Sequence, residues 1–309
     1  MSATSTADRP APPRSRSRSS QRAGRSRIGP LFIAPYVLFL VAIFAYPVGL
    51  AVYMSFHDYF FAAPGAIVDR PFTGLDNYAE ALQDSAVLQS FGNVAIFLVI
   101  NVPLTVALAL VLATALNAAI PFRTFFRVSY YVPYITASVA VVGVWLFLFN
   151  GAGLINNLLG PLAPAPSWFV NSTLAMPLIA IYVSWKQLGF FVLLYLAALQ
   201  NVPKELYEAA SIDGAGRLRQ FMSVTVPGVR PATFLVTLLA TITGANLFTE
   251  PYLLTGGGGP NGASASPVLV MYQEGIQQGN AGYAAAIGII LIVSVLVLAG
   301  VQRLVLGRK

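Results

Sequence analysis

The chain has 309 residues, of which 57% are hydrophobic and 9% charged, with a formal net charge of +7 and no cysteine. A water-soluble globular domain carries about 25% charged residues, so this composition lacks the polar surface to dissolve in water, and its solvent is lipid. Disulfides, thiolate ligands and a cysteine nucleophile are excluded, and with one histidine, His57, so is a histidine metal cluster.

The Arg-, Ser- and Pro-rich residues 1–27 read as a disordered basic tail. Residues 28–309 read as one all-α transmembrane domain with six apolar stretches, each near the ~20 residues that a spanning helix needs. Leu31–Met54 is uncharged and far longer than the ~7–15-residue core of a signal peptide. Phe91–Leu116 and Val128–Phe149 are also uncharged. Thr173–Leu199 contains Lys186, Ala232–Leu254 contains Glu250, and Tyr283–Val301 is uncharged. Pro35, Pro47, Pro103, Pro133 and Pro177 fall within these stretches, which packed membrane helices tolerate better than soluble ones. No direct or inverted repeat relates the two halves.

The basic residues set the expected orientation. With six spans, all 18 Lys and Arg residues except Arg70 and Lys186 fall on one side, in the tail, the second and fourth connections and the C-terminus. By the positive-inside rule that side is cytoplasmic, with both termini there. The opposite side carries Asp58, Asp69, Asp76, Glu80, Asp84 and Glu274. The positive charge is a topology signal, and the expected surroundings are the lipid of the cell (inner or plasma) membrane, with no nucleic-acid partner.

No phosphate-binding loop is present. The run Gly256–Gly259 leads into Pro260 and Asn261 without the Lys-Ser/Thr that a nucleotide loop requires. The expectation is a chain with no catalytic residue, no metal and no cofactor of its own.

The most patterned segment is the fourth connection, Gln200 to Pro231. Pro203 suits a helix start and Lys204–Ile212 is rich in helix formers. Gly214 and Gly216 permit a sharp turn, and Arg217–Ser223 reads as a second short helix before Pro227. This pattern predicts either a compact knob at 203–227 projecting into the cytoplasm or an amphipathic helix lying on the headgroups.

Glu208-Ala209-Ala210, Ile212-Asp213-Gly214-Ala215 and Val226-Pro227 resemble the "EAA" motif, EAA-x-IDGA-x8-I-x-LP, of binding-protein-dependent ABC importer permeases, with Val224 and Val226 in place of Ile and Leu. Phe72-Thr73-Gly74-Leu75-Asp76-Asn77-Tyr78 resembles the F-x-GL-x-NY signature of the carbohydrate-uptake branch, of the maltose and glycerol-phosphate permease type. Pro251–Gly257 resembles that branch's LTGGGP segment with one extra glycine, and Gly282–Ala286 its final-helix entry. The resemblance implies a complex with a second permease subunit, two ATPase subunits and an extracytoplasmic solute-binding protein. In that arrangement ATP and Mg2+ sit on the partner ATPase. Glu208, Ala209, Ala210, Asp213, Gly214, Ala215 and Pro227 form the coupling element that docks on it.

Lys186 is the one basic residue deep in a span. A charge there costs at least ~2.5–3.5 kcal/mol on insertion scales, so it should face protein or water. Tyr182, Trp185 and Gln187 beside it, and Asn246, Thr249, Glu250 and Tyr252 in the fifth span, are groups of the kind that bind sugars. At ~1.5 Å per residue along a continuous helix, Lys186 and Asn246 share one depth and Glu250 lies ~6 Å further out. These residues read either as a solute pathway or as interhelical glue. An importer of another polar solute (amino acid, peptide or phosphate) uses the same machinery. An ion-coupled secondary transporter calls for inverted repeats and a carboxylate relay, for which Glu250 alone is available.

Overall fold

The computed structural model describes residues 28–63, 65, 68–118 and 122–307; the tail at 1–27 and the terminal Arg308 and Lys309 lie outside the described residues. The chain divides into an N-terminal unit ending at Gly49 and a larger unit from Leu50 onward. In the first, α1 (Ile28–Leu40) passes through a π-turn at Val41–Ala45 into α2 (Tyr46–Ser55), which continues into the larger unit. The amide of Tyr46 reaches back five residues to the carbonyl of Val41. Pro47 explains this widening: it has no N–H for the carbonyl four residues back, and its ring crowds the preceding turn.

The larger unit runs through α3 (Asp76–Ala81), α4 (Ser85–Asn117), α5 (Arg123–Ile135), α6 (Ser138–Phe149), α7 (Leu154–Leu159) and α8 (Ala175–Leu199). It continues with α9 (Lys204–Ile212), α10 (Arg217–Gln220), α11 (Val226–Gly228), α12 (Arg230–Ala245), α13 (Thr249–Leu254), α14 (Pro267–Tyr272) and α15 (Ala281–Leu306). Among the described residues the only extended pairing is an isolated antiparallel bridge between His57 and Phe72. α4 and α8 make the most extensive contact, with α12 packed on α4 and α5 on α8. Phe97, Tyr182, Phe191 and Tyr195 are buried there.

Because lipid is as apolar as leucine, close packing and interhelical hydrogen bonds must hold such helices together. Asn101 Nδ2 of α4 donates to Ser184 Oγ of α8 at 2.8 Å, and Gln302 Nε2 of α15 to Thr241 Oγ1 of α12 at 2.7 Å.

Among the described residues, five helical stretches are long and apolar enough to cross a membrane: Phe32–Ser55, Ser85–Asn117, Ser138–Leu162, Ala175–Leu199 and Ala281–Leu306. Arg217–Gly228 and Arg230–Ala245, bent by 70°, make a sixth if taken as one broken span. Pro231 accounts for the bend, since it has no N–H for the carbonyl of Pro227.

Two stretches expected to be continuous are broken. Val128–Phe149 divides between α5 and α6, with Thr136 and Ala137 extended between them. Thr136 Oγ1 donates to the carbonyl of Val132 at 2.7 Å, beside the Thr136 amide that bonds the same carbonyl at 3.1 Å. Ala232–Leu254 divides between α12 and α13, with Asn246–Phe248 between them. Asn246 Nδ2 likewise donates to the carbonyl of Ile242 at 2.7 Å, which the Asn246 amide also bonds at 3.3 Å.

Candidate functional site

The segment from Lys204 to Pro227 forms two short helices joined by a tight elbow. α9 starts after Pro203, holds Glu205 in its first turn where the helix dipole favours a negative charge, and buries none of its residues. It ends in a Schellman turn: the Ala215 amide bonds the Ala210 carbonyl at 2.9 Å, and the Gly214 amide bonds the Ser211 carbonyl at 3.0 Å. Gly214 takes φ +74°, the left-handed conformation that the motif requires and a β-branched residue resists. Gln220 Nε2 then donates to both Ser211 Oγ and the Ala215 carbonyl, each at 2.9 Å, fastening α10 to the end of α9.

Glu208, Ala209, Asp213, Gly214 and Pro227 are exposed, and Ala210 and Ala215 half-buried. Ile212 is 87% exposed, an apolar side chain that nothing among the described residues covers. The knob is tied to the α12 side by Tyr207, whose hydroxyl lies 3.0 Å from Thr225 Oγ1. Beside α9 lies a cavity of about 650 Å³ bordered by Thr114, Asn117, Tyr207, Glu208 and Thr225. Tyr207, Ser211, Gln220 and Thr225 carry the knob's side-chain bonds, and none of them is a residue of the motif.

The second group of residues lies where α6, α8 and α13 meet, since α13 packs against both other helices. Lys186 Nζ donates to Ser138 Oγ at 2.5 Å and lies 4.0 Å from Glu250 Oε1. The two charged side chains are 11% and 14% exposed. Ser138 opens α6 after its break and Glu250 stands in the first turn of α13 after the other, so one lysine bridges two helix starts. Carboxylates are favoured at a helix start, which supports Glu250 there.

Above Ser138 on the same stripe of α6 stands Trp145, seven residues on and two turns up. Its ring centroid is 5.1 Å from that of Tyr182 and 5.6 Å from that of Trp185. Trp185 is 40% exposed and Tyr182 fully buried. Gln187 and Thr249 are half-buried. Tyr252 stacks on Phe248 at 5.4 Å. Asn246 is exposed and spends its amide on its own helix. The depth count that joined it to Lys186 and Glu250 assumed an unbroken helix, and the structure joins Lys186 to Glu250 and Ser138 instead. Ser138 and Trp145 were not among the residues expected here; their spacing of seven, which places both on one helix face, is the signal that could have found them.

The remaining motifs serve the fold. Asn77 Nδ2 donates to the carbonyls of Ser55 at 3.0 Å and His57 at 3.1 Å, and Tyr78 OH lies 2.6 Å from Ser55 Oγ. The Asn-Tyr pair thereby closes the end of α2. Gly256–Gly259 all have positive φ, and the amides of Gly257 and Gly258 both bond the carbonyl of Pro251.

Residues 106–309 match the family described as binding-protein-dependent transport system inner membrane component. The chain belongs to this family. It is 33% identical to the arabinooligosaccharides transport system permease protein AraP of Bacillus subtilis (strain 168), over 86% of this chain and 84% of that one. It is 31% identical to the sn-glycerol-3-phosphate transport system permease protein UgpA of Escherichia coli O157:H7, over 92% of this chain and 96% of that one. Its fold matches that of a bacterial ABC transporter involved in the import of the acidic polysaccharide alginate, with a TM-score of 0.72 at 20% identity, covering 91% of this chain and 95% of that one. The permease is thus an all-α, multi-pass protein of the inner membrane with the fold of an ABC importer subunit.

Proposed function

We propose that this permease pairs with a second permease subunit, draws its energy from two ATPase subunits that hold ATP and Mg2+, and imports a sugar or sugar-like solute handed over by an extracytoplasmic binding protein. The relatives named for arabinooligosaccharides and for glycerol phosphate support the solute class. Both termini are cytoplasmic in this reading, as the distribution of Lys and Arg indicates.

The knob carries the proposal. A helix that buries none of its own residues, held rigid by its turn and by Gln220, is built to be covered by another chain. Glu208, Ala209, Ala210, Asp213, Gly214, Ala215 and Pro227 compose or flank it, with Ile212 as an apolar anchor of the sort that dominates interface energetics. ATP closes the ATPase pair, the docked knob moves with it, and the bend at Val229 passes that motion into α12. The pathway then opens to the outside and receives solute at the surface formed by Lys186, Trp185, Gln187, Thr249, Glu250 and Tyr252, with Tyr182 behind it and Asn246 at the break in the chain. No covalent step falls on this chain.

The test is ATPase stimulation by loaded binding protein in proteoliposomes containing the whole complex. Glu208→Lys should reach the membrane in normal amount and lose the stimulation. Full stimulation in that variant removes the knob from the coupling mechanism.

A further inference from the structure

The intramembrane cluster holds one charge of each sign and no surplus. Lys186 and Glu250 lie 4.0 Å apart, 11% and 14% exposed, and Ser138 accepts a further hydrogen bond from the ammonium. The lysine is thus already engaged by groups from two other helices before any solute arrives. Beside the pair, Trp185 offers a ring that is 40% exposed and braced by Trp145 at 5.6 Å. A solute at this surface meets an apolar ring face and a balanced dipole.

A neutral sugar suits that combination, because its C–H face packs on an indole and its hydroxyls can donate to Glu250 while accepting from Lys186. An anionic solute does not. It would have to take Lys186 from Glu250, leaving a carboxylate unpaired in surroundings that solvate it poorly, or approach Glu250 against like-charge repulsion. Specificity often rests on such a repulsive element as much as on attraction. Relatives of this chain are named for solutes of both charge classes, so the distinction is one that members of the family make. We propose that the Lys186–Glu250 pair excludes anionic solutes and restricts this permease to uncharged sugars. The inference rests on reading the cluster as part of the solute pathway.

The test uses the purified complex of this chain with its partner permease and ATPase, without the binding protein, whose own selectivity would intervene. Two radiolabelled probes of similar size, arabinotriose and trigalacturonate, are compared by equilibrium dialysis. The expected wild-type preference is at least about tenfold for arabinotriose. Glu250→Gln leaves Lys186 without its counter-charge and should shift the preference about tenfold toward trigalacturonate. Lys186→Met/Glu250→Gln removes the freed cation and should cancel that shift. Should Glu250→Gln fail to assemble, the swap Lys186→Glu/Glu250→Lys preserves a balanced pair and should keep the wild-type preference. Failure of Glu250→Gln to raise trigalacturonate affinity overturns the proposal, as does a swap or wild type that prefers trigalacturonate. The pathway reading fails separately, and the proposal with it, if Trp185→Ala leaves the binding of both probes at wild-type values.

Discussion

The knob and the intramembrane cluster are stabilised over very different lengths of chain. The knob is closed by bonds between neighbours in sequence: Ala215 to Ala210, Gln220 to Ser211, and Tyr207 to Thr225. The cluster joins residues from three separate helices, with Lys186 reaching Ser138 on α6 and Glu250 on α13. A locally closed element keeps its shape while exposed, so it can be moved as a lever and damaged without unfolding the chain. A cluster assembled by packing has no such independence: a change at one of its members alters both function and assembly.

Substitutions in the two regions should therefore fail in different ways. The largest effect is expected at Gly214→Val, which places a β-branched residue at φ +74°. The left-handed conformation costs an ordinary residue about 1–2 kcal/mol, and a β-branched one more. Stimulated ATPase activity should fall to the basal rate, while the amount of chain in the membrane, read by immunoblot, should stay normal.

Next is Lys186→Ala, which leaves Glu250 buried without its partner. Breaking a fully buried pair costs about 3–5 kcal/mol, and the partial exposure of this one reduces the expectation to about 2–3 kcal/mol. The signature is a lowered melting temperature of the detergent-solubilised complex, recovered in part by Lys186→Ala/Glu250→Ala. A double variant no more stable than the single one would show that the pair is not coupled.

A smaller effect is expected at Trp185→Ala, where loss of the exposed ring should reduce transport about tenfold by raising the apparent KM. Normal melting of that variant would separate it from Lys186→Ala. The smallest change is Tyr207→Phe, which deletes a single part-buried hydrogen bond to Thr225 worth about 0.5–1.5 kcal/mol. Coupling should survive with a modestly lowered stimulation.

The same contrast governs what could be read from the sequence. The Gly214 turn follows from residues within one stretch, because glycine after a run of helix formers is itself the stop signal. The apolar runs that make the spans were equally legible. The breaks at Thr136–Ala137 and Asn246–Phe248 were not, since hydrophobicity continues across both. At both breaks a short polar residue bonds the carbonyl four residues back with its side chain as well as its amide, Thr136 on Val132 and Asn246 on Ile242, and leaves the helical conformation. The pairing of Lys186 with Ser138 was beyond reach for a related reason: it is created by the break that starts α6, and composition within a span does not reveal it.

Docking of the exposed knob on an ATPase can be tested at Ile212. The chain contains no cysteine, so Ile212→Cys supplies one thiol at the most exposed large apolar side chain among the described residues. Intact cells should show no labelling of it by an impermeant thiol reagent, and a short bifunctional crosslinker in inverted vesicles should join it to the ATPase subunit. Labelling from outside, or a crosslinked product lacking the ATPase subunit, would contradict the account.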